Sequence, residues 1–331
     1  MEGSEELGVR SEELRNACGD LNLIVIAGPT ATGKTETAVA LAEKLDGEIV
    51  CADSMQVYRG LDIGTAMPSR EEMRGVKHHL LGYVDPDERY SLARYLRDCA
   101  KAVDDIQARG RTPILCGGTG LYISSFIHGV ELDDSEHIDY ELRSKIEAEY
   151  LENGAGELLS EIEKSDAEYA KKLHPNDKKR IVRAVELLRT TGYTIPRQNE
   201  LSKRNSVPRP AYLAALNCSD RATLYERINT RVDGMMKKGL LEEAEYVYQN
   251  RGAFVNAAQA IGYKEFFGYF EGTSTLDDCT NRLKQATRNY AKRQISWFNV
   301  ETLTMWYYID NGSDGCVAER IDKEIKKEKK G

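Results

Sequence analysis

Short apolar runs alternate with helical stretches in the first 120 residues of the chain. The runs at residues 21–27 (LNLIVIA), 48–52 (EIVCA) and 113–116 (PILC) are typical of buried parallel strands. Residues 34–45 and 95–109 separate them and carry apolar positions at helical spacing. This order predicts an α/β fold, with a parallel sheet flanked by helices on both faces.

The pattern changes after residue 129. Residues 130–197 show only helical signals, rich in Glu, Lys and Ala, and strand patterns return at residues 212–216 (YLAAL) and 303–309. The candidate helices in the middle segment are residues 140–150, 154–164 and 177–191. We therefore expect an all-helical insertion of roughly 65 residues, which is longer than a crossover helix needs and is typical of segments that determine substrate specificity.

The two ends of the chain differ from its central part. Residues 1–20 are polar and acidic and lack the apolar core of a signal peptide, and no apolar run reaches the length of a membrane span. Residues 320–331 are dominated by Lys and Glu, so we expect a solvated, fraying end there. The predicted organisation is an N-terminal tail at 1–20, a first core segment at 21–129, a helical insertion at 130–197, a second core segment with C-terminal helices at 198–313, and a charged tail at 314–331.

Composition narrows the class of protein. Of the 331 residues 41% are apolar, enough for a buried core, and the net charge of −8 disfavours a protein that coats nucleic acid. The seven cysteines are scattered singly and no Cys/His spacing resembles a zinc site, so reduced thiols in a cytoplasm are expected. We expect a monomer with no membrane partner.

A phosphate-binding motif follows the first predicted strand and opens the first helix. Residues 28–35 (GPTATGKT) match G-x-x-x-x-G-K-[ST] in the strand-to-helix context that the motif requires. Its glycines let backbone N–H groups point at phosphate oxygens, the helix N-terminus adds partial positive charge, and Lys34 adds a full one. The Thr35 hydroxyl is a candidate Mg²⁺ ligand. The predicted phosphate-binding residues are Gly28, Pro29, Thr30, Ala31, Thr32, Gly33, Lys34 and Thr35.

An acid lies beside this motif in the predicted sheet. A P-loop NTPase typically has a carboxylate at the end of a core strand, yet the strand at 113–116 ends in Cys-Gly-Gly-Thr-Gly. Asp53 instead follows the second strand, at the carboxyl edge where open α/β sheets bind ligands. It is placed to take a proton from a second substrate. The alternative is that Asp53 is a helix-capping or turn residue.

Two groups of basic residues stand out against the negative net charge. The first lies in the helical insertion and comprises Lys171, Lys172, Lys178, Lys179, Arg180 and Arg183. The second recurs every fourth residue on one helix face and comprises Lys284, Arg288 and Lys292. Another face of that helix, which we expect to be buried, carries Leu283, Tyr290 and Trp297. The basic groups are either solvated faces or contacts with nucleic-acid phosphates.

Together these motifs resemble the tRNA dimethylallyltransferases, also called tRNA isopentenyltransferases. The motifs that carry the resemblance, in chain order, are GPTATGKT (28–35), DSMQVY (53–58), DIGTA (62–66), GGTGLY (117–122), HPND (174–177) with Arg180 and Arg183, QAIGYK (259–264), TRNYAKRQ (287–294) and Trp297-Phe298. They run in order over residues 22–299, nearly all of the folded chain. The ordered set is much more specific than the phosphate motif alone.

The resemblance implies transfer of a dimethylallyl group from dimethylallyl diphosphate to the exocyclic N6 amine of the adenosine immediately 3′ of the anticodon in tRNA. It implies that the phosphate motif holds this donor with Mg²⁺, and that the insertion grips the anticodon stem-loop. The implied catalytic residues are Asp53 as general base, Thr35, Arg231 and Lys34. The implied tRNA-binding residues are Asp53, Ser54, Met55, Gln56, Thr119, Arg143, Lys179, Arg180, Ile181, Val182, Arg183, Gln259, Gly262, Tyr263, Lys264, Arg288, Lys292 and Arg293. One departure is Asn299, where the family often has Arg.

This chemistry suits the residues present. An adenine amine is a poor nucleophile, so catalysis needs charge stabilisation on the departing diphosphate, alignment and a proton acceptor. The target base must be flipped out of its stack, and the Gln56 amide is expected to read its edge. Three alternatives stay open: a transferase that prenylates free adenine nucleotides, a small P-loop metabolite kinase, and a non-enzymatic RNA-binding protein.

Overall fold

The computed structural model divides the chain into two compact units. It describes residues 23–132, 139–204, 206–310 and 316–328. The predicted N-terminal tail, residues 1–20, lies outside the described residues. The larger unit combines Met1–His128 with Pro208–Gly331, and the smaller unit is Gly129–Val207.

A parallel sheet forms the centre of the larger unit. Its strands in the described part of the chain are β1 (Leu23–Ala27), β2 (Gly47–Cys51), β3 (His78–His79), β4 (Thr112–Cys116), β5 (Ala211–Asn217) and β6 (Thr304–Tyr308). Their order across the sheet is β3-β2-β4-β1-β5-β6, with parallel pairing throughout. Every residue of the central strand β1 is buried, because both faces of the sheet are covered. The predicted α/β fold is confirmed.

Helices of the larger unit cover both faces of its sheet, and the smaller unit adds helices of its own. In chain order they are α1 (Lys34–Leu45), α2 (Arg70–Met73), α3 (Leu92–Ala108), α4 (Gly120–Ile127), α5 (Tyr140–Asn153), α6 (Gly156–Ser165), α7 (Ala167–Ala170), α8 (Lys178–Thr191), α9 (Ile195–Arg204), α10 (Arg221–Lys237), α11 (Leu240–Gln249), α12 (Phe267–Phe270), α13 (Leu276–Val300) and α14 (Val317–Glu328). Among the helices described, none has both the length and the apolarity needed to cross a membrane.

The alternation of side chains along the strands produces two separate cores. On one face Val25 and Leu115 pack with α3, α4 and α13, and on the other Ile24 and Ile114 pack with α1. Each core excludes water from one side of the sheet, so the strand ends are held rigidly. The loops that leave those ends are therefore positioned by a fixed scaffold.

The predicted solvated end at 320–331 is wrong for its described part, which belongs to the helix α14. Ala318, Ile321 and Ile325 are buried at helical spacing and join the core that contains α1. Glu319, Lys323, Lys326 and Lys327 are exposed between these apolar positions. The helix therefore buries an apolar stripe that the high charge of the segment conceals.

The smaller unit, Gly129–Val207, contains α5 to α9 and no strand among its described residues. Its core joins Ile146 of α5, Ile162 of α6 and Val185 of α8. The predicted insertion at 130–197 lies within this unit. The unit extends to Val207, beyond the predicted end, and the helix α9 (Ile195–Arg204) crosses that end.

Candidate active site

The loops after β1, β2 and β4 converge on a cavity of about 830 Å³ at the carboxyl edge of the sheet. Side chains of α10 and α13 complete its wall. Open α/β sheets bind their ligands at this edge. The predicted site residues that line the cavity are Thr30, Ala31, Thr32, Gly33, Lys34, Thr35, Asp53, Ser54, Met55, Gln56, Arg231, Gln259, Lys264 and Arg293.

Two glycines shape the phosphate loop between β1 and α1. Gly28 has a φ of +124°, and a Cβ there would lie 2.2 Å from the Leu216 carbonyl oxygen, so only glycine fits. Gly33 has a φ of +76° and precedes α1 without a side-chain cap, which leaves the first N–H groups of the helix for an anion. Gly28 and Pro29 are buried behind the cavity wall, and the residues from Thr30 to Thr35 form its surface.

Lys34 and Arg231 place two cations in the same cavity. The Lys34 ammonium donates to the Pro29 carbonyl oxygen over 2.8 Å. Desolvation, with a smaller contribution from Arg231, lowers the pKa of Lys34 to about 8, while Cys116 and Asp53 oppose the shift. Desolvation also lowers the pKa of Arg231. Cations held away from water gain more from a bound polyanion than exposed ones do, so this end of the cavity suits a diphosphate.

Asp53 lies within electrostatic reach of both cations. Its Oδ1 accepts hydrogen bonds from the backbone N–H groups of Met55 at 2.9 Å and Gln56 at 3.4 Å. The side chain therefore has a turn-forming role, the alternative weighed from the sequence, and it also lines the cavity. Both anchoring bonds use Oδ1, and no hydrogen bond from a described residue reaches Oδ2. The two roles are compatible, because the turn fixes the orientation of the carboxylate.

The Gln56 amide bonds backbone carbonyl groups, whereas the sequence predicts that it reads the edge of an adenine. Its amide Nε2 donates to the carbonyl oxygens of Thr65 and Ala66, both at 3.0 Å. Because these contacts occupy its donors, Gln56 cannot offer them to an adenine edge in this conformation. It instead holds the 62–66 loop, another part of the cavity wall.

Glu243 on α11 anchors the same loop and was not found from the sequence. Its carboxylate accepts from the backbone N–H groups of Asp62, Ile63 and Gly64 at 2.7–3.1 Å. It also accepts from the Tyr263 hydroxyl at 2.8 Å. The acid lies about 180 residues away in the chain, so local patterns carry no signal for this contact.

The QAIGYK segment reaches the cavity through some of its residues only. Gln259 and Lys264 line the wall and are exposed. Gly262 is buried, and Tyr263 is fully buried against Gly64, where an added Cβ would lie 2.4 Å from the tyrosine ring. The predicted RNA contact of Tyr263 is therefore wrong for its side chain, which supports the 62–66 loop from behind.

Helix α13 presents its basic face differently from the prediction. Lys284 pairs with Asp233 at 2.6 Å and Arg288 donates to Asn229 at 2.6 Å, so both are engaged with α10. Lys292 is exposed and its ammonium lies 5.9 Å from the centroid of the Tyr225 ring. Neither alternative from the sequence, a solvated face or a phosphate contact, describes Lys284 and Arg288 in this conformation. Arg293, one residue further along, lines the cavity.

The predicted buried stripe on α13 is also only partly buried. Leu283 is buried and Tyr290 is half-buried, but Trp297 is 42% exposed. The Trp297 indole N–H donates to Ser124 Oγ at 2.9 Å, and its ring lies against Gly120. The prediction for Trp297 is wrong because its polar edge is bonded at the surface of the unit.

The basic residues of the smaller unit separate into exposed and core-supported positions. Lys179 and Arg180 are exposed on α8. Arg143 and Arg183 both reach the buried carboxylate of Glu186, at 3.6 Å and 3.0 Å, which orients them. The remaining two predicted tRNA contacts are buried in the core of the unit, so their side chains cannot reach RNA: Ile181 and Val182.

Thr119 and Gln294 link the loops around the cavity. The Thr119 hydroxyl accepts from the backbone N–H of Ser54 at 3.0 Å. Gln294 of α13 is buried and bonds the backbone of both Thr30 and Gly118. Gln294 ends the TRNYAKRQ motif, and the sequence alone predicts no role for it. A buried glutamine on an otherwise amphipathic helix was the signal available.

A divalent cation would have to be held mainly by its substrate at this site. Within the described residues, no group of three or more His, Cys, Asp or Glu side chains is arranged to bind a metal ion. Mg²⁺ typically keeps several waters and is bound through substrate phosphates with one or two protein oxygens. The Thr35 hydroxyl, in the cavity wall at the start of α1, fits that pattern.

Fold and site together define a P-loop protein in which the phosphate cradle shares one cavity with a carboxylate from the neighbouring strand. The IPP transferase family model matches residues 56–301 of this chain. The tRNA dimethylallyltransferase of Acetivibrio thermocellus is 42% identical over 306 residues, covering 92% of this chain and 96% of that protein. The enzyme of the same name from Lactobacillus gasseri is 42% identical over 305 residues, covering 92% and 97%.

Solved structures agree with these relatives. The tRNA isopentenylpyrophosphate transferase of Bacillus halodurans superposes with a TM-score of 0.67 at 38% identity, covering 93% of this chain and 98% of that one. A eukaryotic dimethylallyltransferase acting on tRNA superposes with a TM-score of 0.74 at 30% identity, covering 91% and 77%. The chain belongs to the IPP transferase family, that of the tRNA dimethylallyltransferases, and the resemblance of its motifs is confirmed.

Proposed function

We propose that this protein transfers a dimethylallyl group from dimethylallyl diphosphate to the N6 amine of the adenosine immediately 3′ of the anticodon in tRNA. The observation that carries the proposal is the single cavity that joins the phosphate loop, Lys34 and Arg231 to Asp53. The family membership supports the same reaction. We also propose that the protein acts as a monomer in the cytoplasm.

The donor end of the cavity stabilises the leaving group. The C1–O bond of the donor breaks and its electron pair departs with the diphosphate, so negative charge grows on the phosphate oxygens. The growing charge is stabilised by the N–H groups at the start of α1, the Lys34 ammonium and the Arg231 guanidinium. Mg²⁺, held by the diphosphate and the Thr35 hydroxyl, would add further positive charge there.

In this proposal Asp53 accepts the proton of the acceptor amine. The N6 lone pair forms the new C–N bond, and the proton lost from nitrogen passes to the Asp53 carboxylate. The hydrogen bonds from Met55 and Gln56 to Oδ1 fix that carboxylate, so its other oxygen can be aligned with the amine. Because the cavity volume of about 830 Å³ exceeds the space a diphosphate needs, the flipped base has room beside the donor.

The smaller unit supplies the remaining RNA contacts in this proposal. Lys179 and Arg180 are exposed, and Arg143 and Arg183 are oriented by Glu186. Such cations contribute sequence-independent contacts with phosphates and fix the register of the RNA. Gln259, Lys264 and Arg293 would meet the RNA at the cavity itself.

Mass spectrometry of nucleosides tests the proposal. The purified protein is incubated with dimethylallyl diphosphate, Mg²⁺ and an anticodon stem-loop, and we expect one five-carbon addition to the adenosine 3′ of the anticodon. The matched control is the same stem-loop with guanosine at that position, which should stay unmodified. Modification of AMP in preference to the stem-loop would favour a nucleotide transferase. ATP turnover without prenyl transfer would favour a metabolite kinase, and binding without either reaction would favour an RNA-binding protein.

A further inference from the structure

A buried carboxamide connects two loops of the cavity that come from different strands. Gln294 Oε1 accepts from the Thr30 backbone N–H at 3.0 Å, and Gln294 Nε2 donates to the Gly118 carbonyl oxygen at 2.9 Å. The residue is only 4% exposed. Thr30 belongs to the phosphate loop and Gly118 to the loop after β4, so one side chain fixes the separation of the two loops.

The amide is the side chain that this position requires. The Thr30 N–H needs an acceptor and the Gly118 carbonyl needs a donor, and a carboxamide offers both in one plane. The glycine at position 118 lets the amide approach this closely, because an added Cβ on Gly118 would lie 2.1 Å from Gln294 Nε2. A side chain without the amide would leave the Thr30 N–H and the buried Gly118 carbonyl without these partners, which is unfavourable.

The connection continues from Gly118 to the general base of the proposed reaction. The next residue, Thr119, donates its backbone N–H to the Ala52 carbonyl oxygen at 3.1 Å. Its hydroxyl accepts from the Ser54 backbone N–H at 3.0 Å. Ala52 and Ser54 flank Asp53, so the loop after β4 holds the base from both sides.

We infer that Gln294 is a positioning residue that sets the distance between the donor diphosphate and the Asp53 carboxylate. The inference rests on the proposed function, since it concerns the alignment of donor and acceptor in that reaction. Gln294 lines the cavity, but both ends of its amide are bonded to the two loops and are not free for a substrate. It acts through Thr30 on the donor side and through Gly118 and Thr119 on the acceptor side. A misalignment of about 1 Å can lower a rate by about 100-fold.

Steady-state kinetics of Gln294→Met test this inference, because methionine keeps the length of the side chain and loses both hydrogen bonds. We expect kcat to fall by about 10- to 100-fold while the KM values for donor and stem-loop change by less than about threefold. The matched control is Tyr307→Phe, which removes a buried hydroxyl bonded to Tyr212 on the other face of the sheet. It should lose stability and keep its kcat.

Gln294→Glu gives a second readout that a purely structural role would not produce. A carboxylate can accept from Thr30 but cannot donate to Gly118, whereas the protonated carboxyl can do both. Relative to wild type, kcat of this variant should therefore recover as the pH falls. A kcat ratio that is independent of pH would contradict the inference.

A double-mutant cycle with Thr119→Val separates coupling from two independent effects. If Gln294 acts through the loop after β4, the losses of kcat in the two single variants should not add in the double variant. Strict additivity would overturn the inference, as would a Gln294→Met enzyme with wild-type kcat. A wild-type protein that modifies no stem-loop would instead overturn the proposed function, and this appears before any variant is compared.

Discussion

The cations of the phosphate end and the cations of the smaller unit are the same residue types in opposite surroundings. Lys34 and Arg231 are desolvated in the wall of a cavity, and burial lowers the pKa of each. Lys179 and Arg180 are exposed on α8, where Arg180 pairs with Asp177 at 3.4 Å. Lys34 and Arg231 are therefore desolvated before a ligand binds, whereas Lys179 and Arg180 stay hydrated.

The difference assigns the two groups to different steps. A desolvated cation gains strongly from a charge that develops beside it, so it can lower a barrier. A solvated cation exchanges water and counterions for a phosphate, so it contributes affinity that salt screens. Changes at the phosphate end should therefore alter turnover, and changes in the smaller unit should alter binding alone.

The largest expected effect comes from the acid that faces the buried cations. Asp53→Asn keeps an oxygen that can accept from the Met55 N–H but cannot take up a proton. We expect kcat to fall by about 10²- to 10⁴-fold, the range for a general base. Filter binding should show nearly unchanged affinity for the stem-loop. Wild-type turnover in this variant would remove Asp53 from the mechanism.

Next in size is the loss of the desolvated ammonium. Lys34→Ala should lower kcat/KM for dimethylallyl diphosphate by about 10²- to 10³-fold, because one charge contact with the leaving group is lost. Initial rates at varied donor concentration measure this. The KM for the stem-loop serves as the internal control and should be unchanged. A KM for the stem-loop that rises as much as the KM for the donor would indicate a distorted fold.

The pH dependence of donor binding tests the role of the Lys34 charge in a second way. Lys34 has a pKa of about 8, so its ammonium is present below pH 8 and lost above it. The donor KM should rise above pH 8, by up to about tenfold per pH unit where only the charged form binds. Lys34→Arg stays protonated over this range, so its donor KM should stay flat. A wild-type KM that is constant to pH 10 would contradict the assignment.

Sequence patterns predicted the parts of this contrast that depend on local chemistry. The phosphate loop follows from the glycine spacing at Gly28 and Gly33, whose positive φ angles other residues avoid. The sheet follows from apolar runs that both faces bury. Asp53 could be placed at the sheet edge because it directly follows a strand.

Long-range contacts could not be predicted in the same way. Gln294 bonds Thr30 across 264 residues of sequence, and Glu243 bonds Ile63 across 180. No local pattern indicates which buried polar group meets which loop, since many backbone groups could accept the same partner. The apolar stripe of α14 was hidden for a related reason, because its composition is dominated by the face that water solvates.

A smaller effect, on affinity alone, is expected from the exposed cations. Lys179→Ala and Arg180→Ala should each weaken stem-loop binding by a few-fold and reduce the slope of log affinity against log salt by about 1. Titrations at several salt concentrations measure the slope, and kcat at saturating stem-loop should be unchanged. The matched control is Lys164→Ala, an exposed lysine of the same unit outside the predicted contact set. A fall in kcat would contradict the division of roles.

The smallest effect is expected at Lys292, which shares features of both groups. It is exposed like Lys179, but it lies on α13 of the larger unit with its ammonium over the Tyr225 ring. A contact of this kind contributes about 0.5–1 kcal/mol at an exposed site, and it competes with any phosphate for the same charge. Lys292→Ala should therefore change the salt slope of stem-loop binding by clearly less than the value of about 1 for a phosphate contact. A full unit of change would show that Lys292 leaves Tyr225 to bind RNA, and would place it with the exposed cations of the smaller unit.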